Sequence, residues 1–227
     1  MLLEMLLVGL QFTQCPLIVS NINSPLVYEM GDQEVMSCFQ ILTLQEKYGD
    51  CLEELVPLNQ SVITYDELRY LTVLHIGYDG CVHVGEVIVN AKVADEVLEI
   101  FKQLYKIRYP IEKMHVMSYY HGSDELSMED NNSSAFNFRE ITDGGKLSNH
   151  AYGLAIDLNP KVNPYIKDHV VLPANGQAYV NRDQSVLGMI KKNDAVYQLF
   201  TSYGWTWGGD WSSLKDYQHF EKAFNKK

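Results

Sequence analysis

Leu71-Thr72-Val73-Leu74-His75-Ile76-Gly77-Tyr78-Asp79-Gly80-Cys81-Val82-His83-Val84-Gly85-Glu86-Val87-Ile88-Val89 is the stretch that sets the fold class. Two runs rich in Val, Ile, Leu and Thr flank Asp79-Gly80, a dipeptide that tolerates the positive φ of a tight reversal. Leu71–Tyr78 and Val82–Val89 therefore read as the arms of a β-hairpin. Asn90 follows as the N-cap of a helix over roughly 91–107, with Val93, Val97, Ile100, Phe101 and Leu104 on one stripe and Pro110 just past its end. Residues 112–120 read as a further strand, and Asn193 or Asp194 caps another helix that stops before Gly204. A hairpin and helices without repeated strand-helix-strand units indicate an α+β fold, a mostly antiparallel sheet flanked by helices. His75 and His83 sit inside the hairpin arms and read as structural.

The chain has 227 residues, 46% hydrophobic and 11% aromatic, enough for a substantial core without staples. Its net charge of -11 leaves no basic stripe for phosphates, which argues against nucleic acid as a partner. Met1–Leu10 is apolar but carries Glu4, lacks a preceding Lys or Arg, and is too short to span a bilayer. It reads equally as a degenerate export signal or a buried segment, with a misplaced start codon as a third reading. Cys15, Cys38, Cys51 and Cys81 show no C-x-x-C spacing and do not neighbour the histidines, so they are poor metal ligands, and the sequence leaves their pairing open.

Chemistry concentrates further on, in Ser148-Asn149-His150-Ala151-Tyr152-Gly153-Leu154-Ala155-Ile156-Asp157 and in Asp216-Tyr217-Gln218-His219-Phe220-Glu221. Singly, each residue has an ordinary structural reading: a lone His is usually a hydrogen-bonded core or surface group, and Asp before Leu-Asn-Pro is usually a turn former. Together, His150, Asp157 and His219 supply the mixed imidazole and carboxylate set of a hydrolytic zinc site, which keeps a fourth position for water. From Gly153 the chain alternates, with Leu154, Ile156 and Leu158 reading as core and the small Gly153 and Ala155 sharing Asp157's face. Gly153 would let the chain turn and bring His150 back to that face. Asp216, three residues before His219, suits a general base, and Glu221 reads either as a carboxylate behind the His219 imidazole or as a surface group.

Gly122 to Asn149 is polar and without clear periodicity, and reads as one wall of a cleft. Its acidic cluster, Asp124, Glu125, Glu129 and Asp130, does not match a calcium-loop spacing and reads as a solvated face. Trp205, Trp207 and Trp211 read as a saccharide platform or, given their closeness to Asp216 and His219, as cleft walls and supports.

Ser-x-His-x-x-Gly-x-Ala-x-Asp, followed by Gly204-Trp205-Thr206-Trp207-Gly208-Gly209-Asp210-Trp211 and by Asp216 and His219-Phe220, resembles the VanY-type zinc D-alanyl-D-alanine carboxypeptidases. That family includes the VanX-type D,D-dipeptidases and the L-alanyl-D-glutamate endopeptidases of phage lysins. The similar region runs from about Asp66 to Phe224. The resemblance implies a Hedgehog/DD-peptidase-like architecture and one Zn2+ ion held by His150, Asp157 and His219, with Asp216 as catalytic base. It also sets Arg139, at the end of Ala135-Phe136-Asn137-Phe138-Arg139, where relatives end a Ser-Gly-Tyr-Arg-like segment; a guanidinium there would offset an oxyanion or grip a carboxylate. It implies peptidoglycan stem peptides as substrate, captured by the site itself because an acidic chain gains nothing from anionic wall polymers. Release of the terminal D-alanine is the expected reaction, an L-alanyl-D-glutamate or cross-bridge endopeptidase the alternative. A non-catalytic zinc-containing binding module, as in the Hedgehog signalling domain, is the reading from another class, and the presence of Asp216 and Arg139 favours catalysis. The implied location is extracytoplasmic, at a bacterial cell envelope, with residues 62–227 as the catalytic domain and 1–61 as an N-terminal extension.

Overall fold

In the computed structural model, which describes residues 31–58, 62–138 and 147–223, the Asp79-Gly80 reversal organises the largest sheet. The chain runs through α1 (Asp32–Ser37), β1 (Gln40–Thr43), α2 (Leu44–Tyr48) and α3 (Leu52–Leu55) into the hairpin arms β2 (Leu68–Ile76) and β3 (Val82–Asn90). These pair antiparallel without a break from Leu68↔Asn90 to Ile76↔Val82, with Gly80 at φ 78° in the reversal and β1 along the other edge of β2. Helix α4 (Ala94–Lys106) lies on this sheet and buries Val97, Ile100, Phe101 and Leu104 against Leu71, Val73 and Val87. Each such side chain contributes about 1.5–3 kcal/mol by leaving water. Ahead of residue 62, Leu44, Leu52 and Val56 join a second apolar cluster with Leu68, Tyr70, Ile88 and Phe136.

Helix α4 begins at Ala94 rather than 91, because Asn90 is the last residue of β3. Its side chain accepts from Lys92 N at 3.0 Å and donates to the Tyr152 carbonyl at 3.0 Å, so it closes a turn and ties the hairpin to the site instead of capping the helix. Residues 112–120 do not form a strand: they make an isolated bridge, Lys113↔Asn132, and then a 3-10 turn over Met117–Tyr120. The Asn132 amide takes the place of a neighbouring strand, accepting from His115 N at 2.6 Å and donating to His115 O at 3.1 Å.

The chain continues through α5 (Asp124–Glu129), β4 (Ala155–Asp157), β5 (Tyr165–Lys167), β6 (Val170–Leu172), α6 (Ala195–Ser202), β7 (Thr206–Trp207), β8 (Lys215–Asp216) and β9 (His219–Glu221). Asp194 caps α6 by accepting from Tyr197 N at 2.8 Å, and Gly204 follows the helix at φ 77°, as its sequence suggested. The fold is α+β, and among the described residues its antiparallel strands are divided among three three-stranded sheets, β1-β2-β3, β4-β9-β7 and β6-β5-β8, rather than gathered in one. His75 and His83 stack at 5.5 Å inside the hairpin, His75 donating to the Ile111 carbonyl and His83 meeting Asp79, so both are structural. Among the described residues no helix is long and apolar enough to cross a membrane.

Candidate metal centre

Strand register brings two of the candidate ligands together. In the β4 and β9 pair, Asp157 stands directly opposite His219, and opposed residues of an antiparallel pair share a face with Cβ atoms about 4.5–5.5 Å apart. Leu154, Ile156 and Leu158 turn the other way into the core, as the alternation from Gly153 suggested. The third residue, His150, arrives on a 3-10 turn over Asn149–Tyr152, whose start is capped by the Ser148 hydroxyl. Gly153 ends that turn at φ 65°, where a Cβ would come within 2.6 Å of Asn90 N; only glycine lets the turn press this closely on the end of β3.

The ligand atoms of His150, Asp157 and His219 all lie within 4.8 Å of one another, and all three residues are buried. His150 Nε2 is 3.2 Å from His219 Nδ1 and 3.1 Å from Asp157 Oδ2, and His219 Nδ1 is 3.0 Å from Asp157 Oδ1. Ligands about 2.0–2.2 Å from a tetrahedral zinc ion lie roughly 3.3 Å from one another, so the trio needs little rearrangement to receive one. The outer nitrogens are engaged as a metal site requires. His150 Nδ1 donates to the Ala135 carbonyl, and His219 Nε2 donates to Glu221 Oε2 at 3.3 Å, which leaves the inner nitrogens to face the cation. Glu221 is itself held by Asn149 Nδ2 at 2.6 Å. Of the two readings of Glu221, the structure has it behind the His219 imidazole. Sequence reasoning missed Asn149 and the Ala135 carbonyl; the first directly precedes His150, the second is backbone and leaves no trace in residue identity.

The electrostatics suit a cation. Burial alone would raise Asp157, yet the imidazoles of His150 and His219 hold it below the usual carboxylate range. Burial opposes charge on His219, but Asp157 and Glu221 outweigh it and push that imidazole up to about 10. An arriving divalent cation replaces the inner proton and meets the same negative field.

Asp216 reaches the site from a different sheet, β8 paired with β5 through Tyr165↔Asp216. Its Oδ1 is buried and has no hydrogen-bond partner among the described residues, and burial pushes its carboxyl up to about 6 against the pull of His219. An unsatisfied buried acceptor beside an imidazole cluster is the environment of a group waiting for a proton donor. Gly208 makes room for it, since a Cβ there would sit 2.6 Å from Asp216 O and 2.8 Å from its Cβ. The tryptophans divide their tasks. Trp211 stands 5.3 Å from the His219 ring and walls the site, and Trp207 donates to the Tyr217 carbonyl at 2.9 Å between Asp216 and His219. Trp205 instead is core, donating to Glu96 on α4. Arg139 lies outside the described residues.

Residues 142–222 match the family model described as D-alanyl-D-alanine carboxypeptidase, the family that the sequence resemblance implied, and the matched stretch contains His150, Asp157, Asp216 and His219. No curated protein and no solved structure matches the chain. The family match and the buried His-Asp-His group together support a metallopeptidase.

Proposed function

We propose, from the family match over the site residues and the geometry those residues make, that the protein is a zinc-dependent hydrolase of peptidoglycan stem peptides that releases the terminal D-alanine. The observation that carries this reading is the convergence of three buried ligand side chains beside the unpartnered Oδ1 of Asp216. His150, Asp157 and His219 would hold the ion, with the Ala135 carbonyl and Glu221 fixing the two imidazole orientations. When bound, zinc supplies Lewis-acid polarisation of the scissile carbonyl and a water whose pKa is lowered to about 7.

The remaining steps belong to the chain. Asp216 accepts the proton released as water attacks the carbonyl and returns it to the leaving amine, and a carboxyl pushed up to about 6 is well matched to both halves of that task near neutral pH. Trp211 keeps bulk water from the face of His219. Arg139 is assigned to the developing oxyanion on the family resemblance alone. The substrate places the protein's work at a bacterial cell envelope.

Mass spectrometry of defined stem peptides tests the reading, one ending in D-Ala-D-Ala and one already trimmed, with zinc and with a chelator. Zinc-dependent loss of a single alanine from the first peptide is the expected result. Cleavage within the stem would make the protein an endopeptidase, and no cleavage with zinc bound would favour a binding module.

A further inference from the structure

Asp216 ends β8, His219 begins β9, and only Tyr217-Gln218 joins the two sheets at this point. Where the carboxylate stands relative to the imidazole is therefore set by a two-residue linker. Its backbone is held from three directions. Tyr217 N donates to the Pro164 carbonyl at 3.3 Å, Trp207 Nε1 donates to the Tyr217 carbonyl at 2.9 Å, and Leu158 N donates to the Gln218 carbonyl at 3.0 Å. A further hold is on the side chain: the Arg182 guanidinium carbon stands 4.3 Å from the centre of the Tyr217 ring.

The hydrogen-bond partners of Arg182 are neutral. Nη1 donates to the Val162 carbonyl at 2.7 Å and the Tyr179 carbonyl at 3.2 Å, and Nη2 donates to Asn163 Oδ1 and the Ile190 carbonyl, both at 2.8 Å. Its Nε has no hydrogen-bond partner among the described residues, so the two terminal nitrogens and the ring fix the guanidinium plane. Burial lowers the Arg182 pKa to about 10, which leaves it charged at neutral pH. A partly desolvated cation over an aromatic face is held more firmly than one in water. Val162 and Asn163, which Arg182 grips, directly precede Pro164, whose carbonyl takes the Tyr217 N–H. One guanidinium thus holds the ring of Tyr217 and also the segment that holds its backbone. A lysine ammonium, a point charge without a planar fork, cannot do both.

We propose that Arg182 is a positioning residue of the metal centre: through the Tyr217 ring and the 162–164 segment it fixes where the Asp216 carboxylate stands relative to His219. Without the guanidinium, the ring and that segment lose their shared anchor. Asp216 shares the displacement, because β8 is only two residues long and pairs with β5 beside Pro164, through Tyr165↔Asp216. The kinetic consequence rests on the hydrolase reading above, whereas the placement of Asp216 does not.

The test uses the full chain loaded with zinc and reads three quantities: zinc content, steady-state turnover of a stem peptide ending in D-Ala-D-Ala, and the carbon-13 carboxyl signal of Asp216. That signal is identified by its loss in Asp216→Asn. Arg182→Met and Tyr217→Leu should each lower kcat by roughly 10–100-fold, the cost of displacing a reacting group by about 1 Å. KM and zinc content should stay near wild type, and the Asp216 signal should move. Tyr217→Phe keeps the ring and should recover most of the turnover and the wild-type signal, whereas Arg182→Lys keeps the charge without the fork and should not. Because Tyr217→Leu leaves every hydrogen bond of Arg182 in place, it decides the matter even if Arg182→Met fails to fold. Wild-type kcat in Tyr217→Leu with a lowered unfolding midpoint would make Arg182 a structural clamp and overturn the proposal. A rise in KM in place of the fall in kcat, or an equal loss in Tyr217→Phe, would also overturn it. If the wild type cleaves nothing, the hydrolase reading fails by itself and the Asp216 signal still decides the placement. Movement in Tyr217→Leu with return in Tyr217→Phe supports the positioning role, and an unmoved signal overturns it.

Discussion

β2 and β3 run nine residues each in one unbroken register, whereas the strands that carry Asp157, Asp216 and His219 are three, two and three residues long. The hairpin half is held by backbone pairing and by apolar burial under α4. The site half shares that apolar core through Ile156, Trp205 and Phe220, and its loops are held by side chains that do the work of missing strands. Asn163 donates to the Leu158 carbonyl at 3.1 Å and the Gly188 carbonyl at 2.8 Å while accepting from Ile190 N. Asn159 accepts from Glu112 N and donates to the Pro110 carbonyl, and Arg182 donates to the carbonyls of Val162 and Ile190. Short strands joined in this way can present side chains from two sheets to one point, which a long regular sheet cannot do. Stability is therefore drawn from one core common to both regions, while the chemistry is confined to the short strands, so a lesion in the reacting groups and a lesion in the core should have separable effects.

The sharpest separation is expected from Asp216→Ala. Turnover should drop by about 10²–10⁴-fold, the contribution of a positioned general base, while bound zinc and the unfolding midpoint stay near wild type; substantial turnover in the purified variant would remove Asp216 from the chemistry. The converse lesion lies in the hairpin half. Phe101→Ala, at a fully buried position of α4, should cost about 3–5 kcal/mol in denaturant unfolding and leave turnover per folded molecule unchanged. A matching loss of turnover would show that the two halves are not independent.

Smaller effects probe the support behind the ligands. Glu221→Gln keeps the size of the side chain but removes the charge behind His219, and zinc affinity should fall by about 10–100-fold, measured by competition with a chromophoric chelator. Unchanged affinity would return Glu221 to the status of a surface carboxylate. Zinc affinity should also tighten as pH rises, because the His219 imidazole, pushed up to about 10, must release its inner proton to bind the ion. The expected slope is about tenfold per pH unit for one proton released between roughly pH 6 and 8; a flat profile would mean that His219 binds no metal.

Most of the hairpin half was legible in the sequence because its information is local. Asp79-Gly80 marks the reversal, the apolar arms mark the strands, and the stripe from Val97 to Leu104 marks α4. The exceptions were β1, in a stretch that carried no readable signal, Asn90, and residues 112–120, where an Asn side chain replaced the expected backbone partner, an arrangement that periodicity cannot register. In the site half the alternation around Ile156 placed Asp157 on the open face, and the spacing of Asp216 and His219 put them near each other. The sequence did not reveal that these two neighbours belong to different sheets, since that depends on the long-range pairings Tyr165↔Asp216 and Asp157↔His219.

The register of β4 and β9, completed by the His150 turn, is expected to make a single zinc site. Zinc content per chain after equilibrium dialysis, measured by elemental analysis on wild type and on His150→Ala, tests it most directly. About one ion per chain in the wild type and almost none in the variant, with the fold retained by circular dichroism, is the expected result for a three-ligand site. Equal zinc in the two proteins would contradict the account.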